Sequence, residues 1–215
     1  MNDAGPHASG PAVCYVKNDL PQAFAGLLHV QFVHLSTSAT TTVGTAPVKL
    51  PPGAGATGFW CADGTPFDAS KGASACATFD SLLTKAACSS DGSDCVMRVT
   101  ITAAAPETLD AGALLADNLL PLAPPSDMKL ADVNVTCTIT GTESDPTIRV
   151  TSVGGVALYV WLSTLADGRF EDNGFLLLPS APREISFIPF QHFDPQVLHA
   201  SLRVEHLQQN MPAPQ

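Results

Sequence analysis

The sequence predicts an all-β chain built as two tandem antiparallel β-sandwich domains. Three observations carry that expectation. Apolar residues alternate with polar ones at period two in several short segments, the mark of strands buried on one face. Eighteen Pro and sixteen Gly cut these segments into pieces. No helical pattern lies between successive segments, so turns rather than crossover helices must join them.

The segments follow in chain order. Leu28, Val30 and Phe32 alternate with His29 and Gln31, and Cys95, Met97, Val99 and Ile101 with Val96, Arg98 and Thr100. Val133, Val135, Cys137 and Ile139 face one way, with Asn134, Thr136, Thr138 and Thr140 opposite. Ile148 and Val150 continue the pattern, and Leu198, Ala200, Leu202 and Val204 suggest a closing strand. One stretch, 79–87, reads as a short helix capped by Asp80 or Ser81. Turn residues separate the segments at 140–146, 154–155, 166–168 and 179–182. The paired prolines Pro124 and Pro125 can neither continue a helix nor donate within a central strand. We therefore expect one domain over 12–126, a second over 127–208, and a flexible tail at 209–215.

Hydrophobic residues form 45% of the 215 and charged residues 14%, which furnishes a core and argues against wholesale disorder. The net charge is −10, and the ten Lys and Arg are scattered. Nucleic-acid binding needs a basic stripe, so it is not expected. No apolar run approaches the ~20 residues of a membrane span. The opening Met-Asn-Asp-Ala-Gly-Pro-His has neither a basic nor an apolar region, so it does not read as a signal peptide. If the parent is exported, the start reads as a fragment edge or an internal start.

Six cysteines stand at 14, 61, 76, 88, 95 and 137, with no C-x-x-C pair for a structural zinc site. Cys61, Cys76, Cys88 and Cys95 fall in a Ser/Ala/Asp/Gly-rich stretch that would gain from cross-links. They are candidate disulfide partners, and the sequence leaves their pairing open. Asn134-Val135-Thr136 is an N-glycosylation sequon with Asn134 on the polar face of its strand.

Further along, the run 161–179 places Trp161, then Gly168, Arg169, Phe170, Asp172, Asn173 and Phe175. This run resembles the Gly-Arg-Phe-x-Asp-Asn-x-Phe signature in the C-terminal immunoglobulin-like domain of glycoside hydrolase family 2 β-mannosidases. The strand 183–190 and the end Val204-Glu-His-Leu207 continue the likeness. Cys14-Tyr-Val-Lys-Asn18-Asp-Leu-Pro21 and 118–130 resemble, in the same order, the opening and close of the preceding sandwich domain. The resemblance implies two immunoglobulin-like sandwiches and a parent that removes terminal non-reducing β-D-mannose. It implies a parent that is lysosomal or secreted, and a catalytic barrel as partner in cis.

Read physically, the signature is structural. Asp172 and Asn173 are turn formers, Phe170 and Phe175 bracket the turn and plug the sandwich end, and Trp161 would sit mid-strand in the core. A second reading has Asp172 and Asn173 facing a sugar or a neighbouring domain.

The chain offers no chemistry of its own. A retaining glycosidase needs two carboxylates about 5 Å apart. Glu107, Glu143, Glu171, Glu184 and Glu205 lack the preceding Asn of the family's acid/base residue, and no βα pattern could build a barrel. No His arrangement suits a metal, and His192, His199 and His206 read as exposed polar positions. We expect no catalytic residue, cofactor or metal. The leading function is the non-catalytic tail of a β-mannosidase bracing its barrel. The alternatives are a stand-alone carbohydrate- or protein-binding module, with Trp60, Phe190 and Phe193 as candidate surface aromatics, or the tail of another family 2 glycosidase.

Overall fold

The computed structural model describes residues 10–19, 21–53, 56–104, 113–179 and 181–211. Glu107 and residues 212–215 of the expected tail lie outside them. The chain divides into two compact units, one of residues up to 34 with 39–128, the other of residues 35–38 with 129 onward. Every paired strand in both is antiparallel.

The first unit contains β1 (Val13–Asn18), β2 (Phe24–His34), β3 (Thr40–Leu50), β4 (Ala56–Cys61), α1 (Phe79–Lys85), β5 (Cys95–Ala103) and β6 (Leu114–Pro121). One sheet runs β3-β2-β5-β6 and a second pairs β1 with β4. The alternation at 28–32 does what period two requires. Leu28, Val30 and Phe32 enter a core with Val43, Val48, Leu50 and Ile101. Helix α1 adds Phe79, Leu82 and Leu83 to it, with the Phe32 and Phe79 rings 5.9 Å apart. The helix starts one residue before the expected caps. Thr78, in extended backbone, accepts from the Ser81 amide, whereas Asp80 and Ser81 already lie in the first turn.

Pro47 stands in the outermost strand of this sheet opposite Leu27. Its carbonyl accepts from Trp60 Nε1 at 3.1 Å. That bond anchors Trp60, which otherwise packs against the core rather than standing free on the surface.

Cys14, on β1, is a free, buried cysteine in this core. Burial pushes its thiol up from the ordinary 9.0 to about 11. The folded state therefore holds its proton after the unfolded chain has lost it. The resulting stabilisation is complete below pH 9 and disappears as pH rises through 11. Between those limits the urea-derived stability should fall by about 2 kcal/mol more than that of Cys14→Ala. Parallel pH profiles for the two chains would contradict this.

The second unit contains β7 (Asn134–Thr142), β8 (Asp145–Val153), β9 (Ala157–Ser163), β10 (Gly168–Phe170), β11 (Phe175–Leu177), β12 (Arg183–Pro189), α2 (Pro195–Ser201) and β13 (Arg203–Glu205). Its sheets run β10-β12-β8-β7 and β11-β9-β13. The core between them draws Val135, Ile148, Val150 and Ile185 from the first sheet. Val160, Leu162, Phe175 and Leu177 come from the second. Its most enclosed aromatic is Phe187, 1% exposed, with Phe170 edge-on at 5.2 Å and Phe193 at 5.4 Å.

Three expectations differ from the structure here. Residues 198–202 were expected as strand, but Leu198 to Ser201 are helical. Asp194 caps the helix by accepting from the Gln196 amide, and Pro195 opens it with a preset φ. The strand begins only at Arg203. His206, expected on the surface, is buried at 4% exposure, with Nδ1 3.2 Å from Gln208 Oε1. Gln209 and Asn210, placed in the tail by sequence, lie in a 3-10 turn whose Gln208 side chain bonds the backbone of Val156 and Leu158.

Candidate functional site

The signature residues converge on one corner of the second unit, between β9, β10 and β11. The corner is organised by a side chain that behaves as backbone. Asn173 accepts from the Leu162 amide through Oδ1 at 2.7 Å and donates to the Leu162 carbonyl through Nδ2 at 2.8 Å. The carboxamide thus gives β9 the pair of bonds a neighbouring strand would give it. Asp172 holds the approach to that geometry. Its Oδ1 accepts from the Asn173 amide at 2.8 Å and its Oδ2 from Arg183 at 2.9 Å. The Arg183 guanidinium also lies 4.5 Å from the centre of the Phe175 ring.

Gly174 follows with φ 74°, in the left-handed region, and its amide donates to the Val160 carbonyl at 2.9 Å. Gly168 is needed for a different reason. A side chain there would overlap the Phe187 ring and approach the Ile188 carbonyl at 2.7 Å. Phe170 packs on the core and Phe175 is buried, while Arg169 is exposed on β10. The hydrogen bonds of Asp172, Asn173 and Gly174 thus join the turn to β9 and β12.

Trp161 needs correction. It is mid-strand on β9, but 52% exposed rather than in the core. The strand alternates, so burying Val160 and Leu162 turns Trp161 outward.

Asn173→Ala should destabilise the second unit by about 2 kcal/mol, since it leaves the Leu162 amide and carbonyl without their partners. Asn173→Asp should not rescue it, because a carboxylate can still accept but would oppose the Leu162 carbonyl. Urea midpoints matching the parent chain for either variant would remove the strand-substitute role.

The four cysteines of the first unit form two bridges, Cys61–Cys76 and Cys88–Cys95. The sequence had isolated the four but not the pairing. His34 Nδ1 lies 3.4 Å from Cys95 Sγ, and ligand atoms of His34, Cys88 and Cys95 fall within 4.8 Å of one another. The two sulfurs are bonded to each other, so neither offers a thiolate to a metal. Asn134 is exposed at the start of β7, opposite Val153, where a glycan would meet solvent.

Glu171 and Glu205 are exposed, and Glu184, also exposed, pairs with Arg149 at 3.0 Å. Glu143 and His199 border an open hollow of about 160 Å³ between the β7–β8 turn and α2, smaller than ordinary ligand pockets.

Comparison with known proteins places this geometry. A family model, Ig_mannosidase, described as an Ig-fold domain, matches residues 130–210. Over 66 residues the chain is 39% identical to β-mannosidase A of Aspergillus fumigatus. Over 65 residues it is 38% identical to that of Neosartorya fischeri. These matches cover 30% and 29% of this chain, and 7% of each relative's length. The chain is also similar in fold to the solved β-D-mannosidase from Dictyoglomus thermophilum, with TM-score 0.54 and 13% identity. That superposition covers 91% of this chain and 22% of the other.

Proposed function

We propose that the chain serves as the non-catalytic C-terminal region of a family 2 β-mannosidase, packing on and bracing its catalytic barrel, a reading that starts from the match of residues 130–210 to an Ig-fold domain of the β-mannosidase type. The parent activity on this reading is exo-hydrolysis of terminal β-D-mannose from non-reducing ends. The observation that carries the proposal is the domain match on the segment that builds the Asp172–Asn173–Gly174 corner. The fold likeness over 91% of the chain supports extending it to both units. The exposure of Glu171, Glu184 and Glu205, with Glu184 already paired to Arg149, supports a bracing rather than a catalytic part.

The direct experiment is to assay the purified chain on a chromogenic β-mannoside. No turnover above background is expected, and turnover abolished by substituting a glutamate of this chain would overturn the reading. The coding sequence upstream of Met1 provides a second check. It should encode a barrel containing the Asn-Glu pair, and an unrelated upstream sequence would count against the proposal.

A further inference from the structure

We propose that Trp161, with Tyr159, Arg203 and Glu205, forms a shallow binding platform for a pyranose ring of a neutral oligosaccharide. The platform does not depend on the bracing role proposed above.

Trp161 is 52% exposed, with its six-membered ring lying over Gly174. Gly174 presents no side chain beneath it, and the ring lies 3.9 Å from where a Cβ would stand. Asn173 holds both the amide and the carbonyl of the neighbouring Leu162, so the strand carrying the ring is held in place. Asn173 and Gly174 are positioning residues here.

Next to the indole, β9 carries a bulge. Phe175 pairs with Val160 and Leu177 with Ala157, so Leu158 and Tyr159 together oppose the single residue Leu176. Tyr159 occupies the bulge at φ 49°, a left-handed conformation that a tyrosine adopts only under constraint. Its ring, 41% exposed, stands two residues from Trp161 on the same outward-facing stretch. A glycine would take that backbone without strain, yet the position carries an aromatic side chain.

The edges of the platform are polar. Glu205 is directly opposite Trp161 in the β9–β13 register, and Arg203 is opposite Ser163, which puts their side chains on the face of the indole. Both are exposed, and neither makes a salt bridge or side-chain hydrogen bond to another described residue. The indole N–H is similarly unengaged among the described residues. An aromatic face beside one acceptor, one bidentate donor and an N–H suits a ligand with an apolar face and a rim of hydroxyls, which is a pyranose. The opposed charges of Arg203 and Glu205 leave the patch neutral, which favours an uncharged sugar over a polyanion.

A second exposed aromatic pair, Tyr15 and Phe59 with centroids 5.4 Å apart, lacks this rim. The nearby Lys17 and Asp19 are joined to each other at 2.7 Å. That pair is the internal control.

The test is tryptophan emission and calorimetry of the full chain titrated with β-1,4-mannotriose and, separately, cellotriose. A small open platform predicts a Kd on the order of 1 mM for at least one of them. Trp161→Ala should weaken binding more than about tenfold, while Phe59→Ala leaves it unchanged. Tyr159→Gly should also weaken it while unfolding no earlier in urea than the parent chain, which separates a lost contact from a lost fold. Absence of binding by either sugar, or binding indifferent to Trp161→Ala, overturns the proposal. So does concentration-dependent self-association abolished by Trp161→Ala in the absence of sugar binding, since the patch would then serve protein contact.

Discussion

Phe187→Ala should cost the second unit about 3–5 kcal/mol, the range expected for truncating a fully buried aromatic side chain. Phe187 is 1% exposed and stands where three elements meet, with Phe170 of β10 on one side and Phe193 before α2 on the other. Gly168 presses on the same ring from β10. Truncation removes the packing partner of all three at once, and β10 is too short to collapse into the space on its own. For a unit of this size the loss corresponds to a fall in Tm of more than about 10 °C, read by calorimetry or near-UV dichroism. The cause can be isolated with Gly168→Ala. In the parent chain the added methyl overlaps the ring and should destabilise by about 1–3 kcal/mol. In the Phe187→Ala background the same methyl enters the vacated space, so the double variant should be more stable than the two losses summed. Strict additivity would mean that a glycine at 168 serves some purpose other than room for the ring.

Opening the Cys61–Cys76 bridge comes second, at about 3 kcal/mol for the first unit. The bridge closes a loop of 15 residues that contributes little apolar surface to the core between Ala62 and Cys76. The folded loop is held chiefly by local bonds, Asp63 to Thr65 and Asp68 to Ser70, with the Phe67 ring 5.5 Å from that of Phe59 on β4. Without the cross-link the unfolded chain regains the full entropy of that segment. The Cys88–Cys95 loop is half as long, with a separation of 7, and the same chain-entropy model assigns its bridge about 2 kcal/mol. Urea midpoints of Cys61→Ala/Cys76→Ala and Cys88→Ala/Cys95→Ala should therefore rank in that order below the parent. An unmoved midpoint in the first pair would show that the loop is ordered by its own contacts.

The sequence revealed those parts of the fold that one residue's neighbours determine. Period-two alternation located β2, β7 and β8 because each buries chiefly one face, and it also found β5, although that strand buries Val96 and Thr100 along with Cys95 and Ile101. It failed at 198–202, where Leu198 and Leu202 are as consistent with one side of a short helix as with a strand face, and Asp194-Pro195 decided the matter. Trp161 was misplaced for a related reason. Residue type argued for the core, but the parity of β9 was set by the bulge at Tyr159, which depends on pairing with β11 and cannot be seen along one strand. At the corner, Asp172 and Asn173 were legible as turn formers. That Asn173 reaches across to Leu162, and that Arg183 answers Asp172, depends on contacts 11 residues apart that no local pattern encodes. The same limit explains why the four clustered cysteines could be singled out and their pairing could not.

The Trp60–Pro47 bond has a consequence for the molecule in concentrated solution. Pro47 lies in β3, at one border of the four-stranded sheet, and its carbonyl points away from β2 toward the indole. A strand arriving from another molecule would look there for an N–H and a C=O to continue the ladder. It would find a residue with no N–H and a carbonyl already engaged. Pro121 ends β6 at the opposite border with the same missing donor. Intermolecular sheet growth is thus blocked at a point on each side, and a sheet rich in β-branched residues can remain a discrete body instead of seeding aggregates.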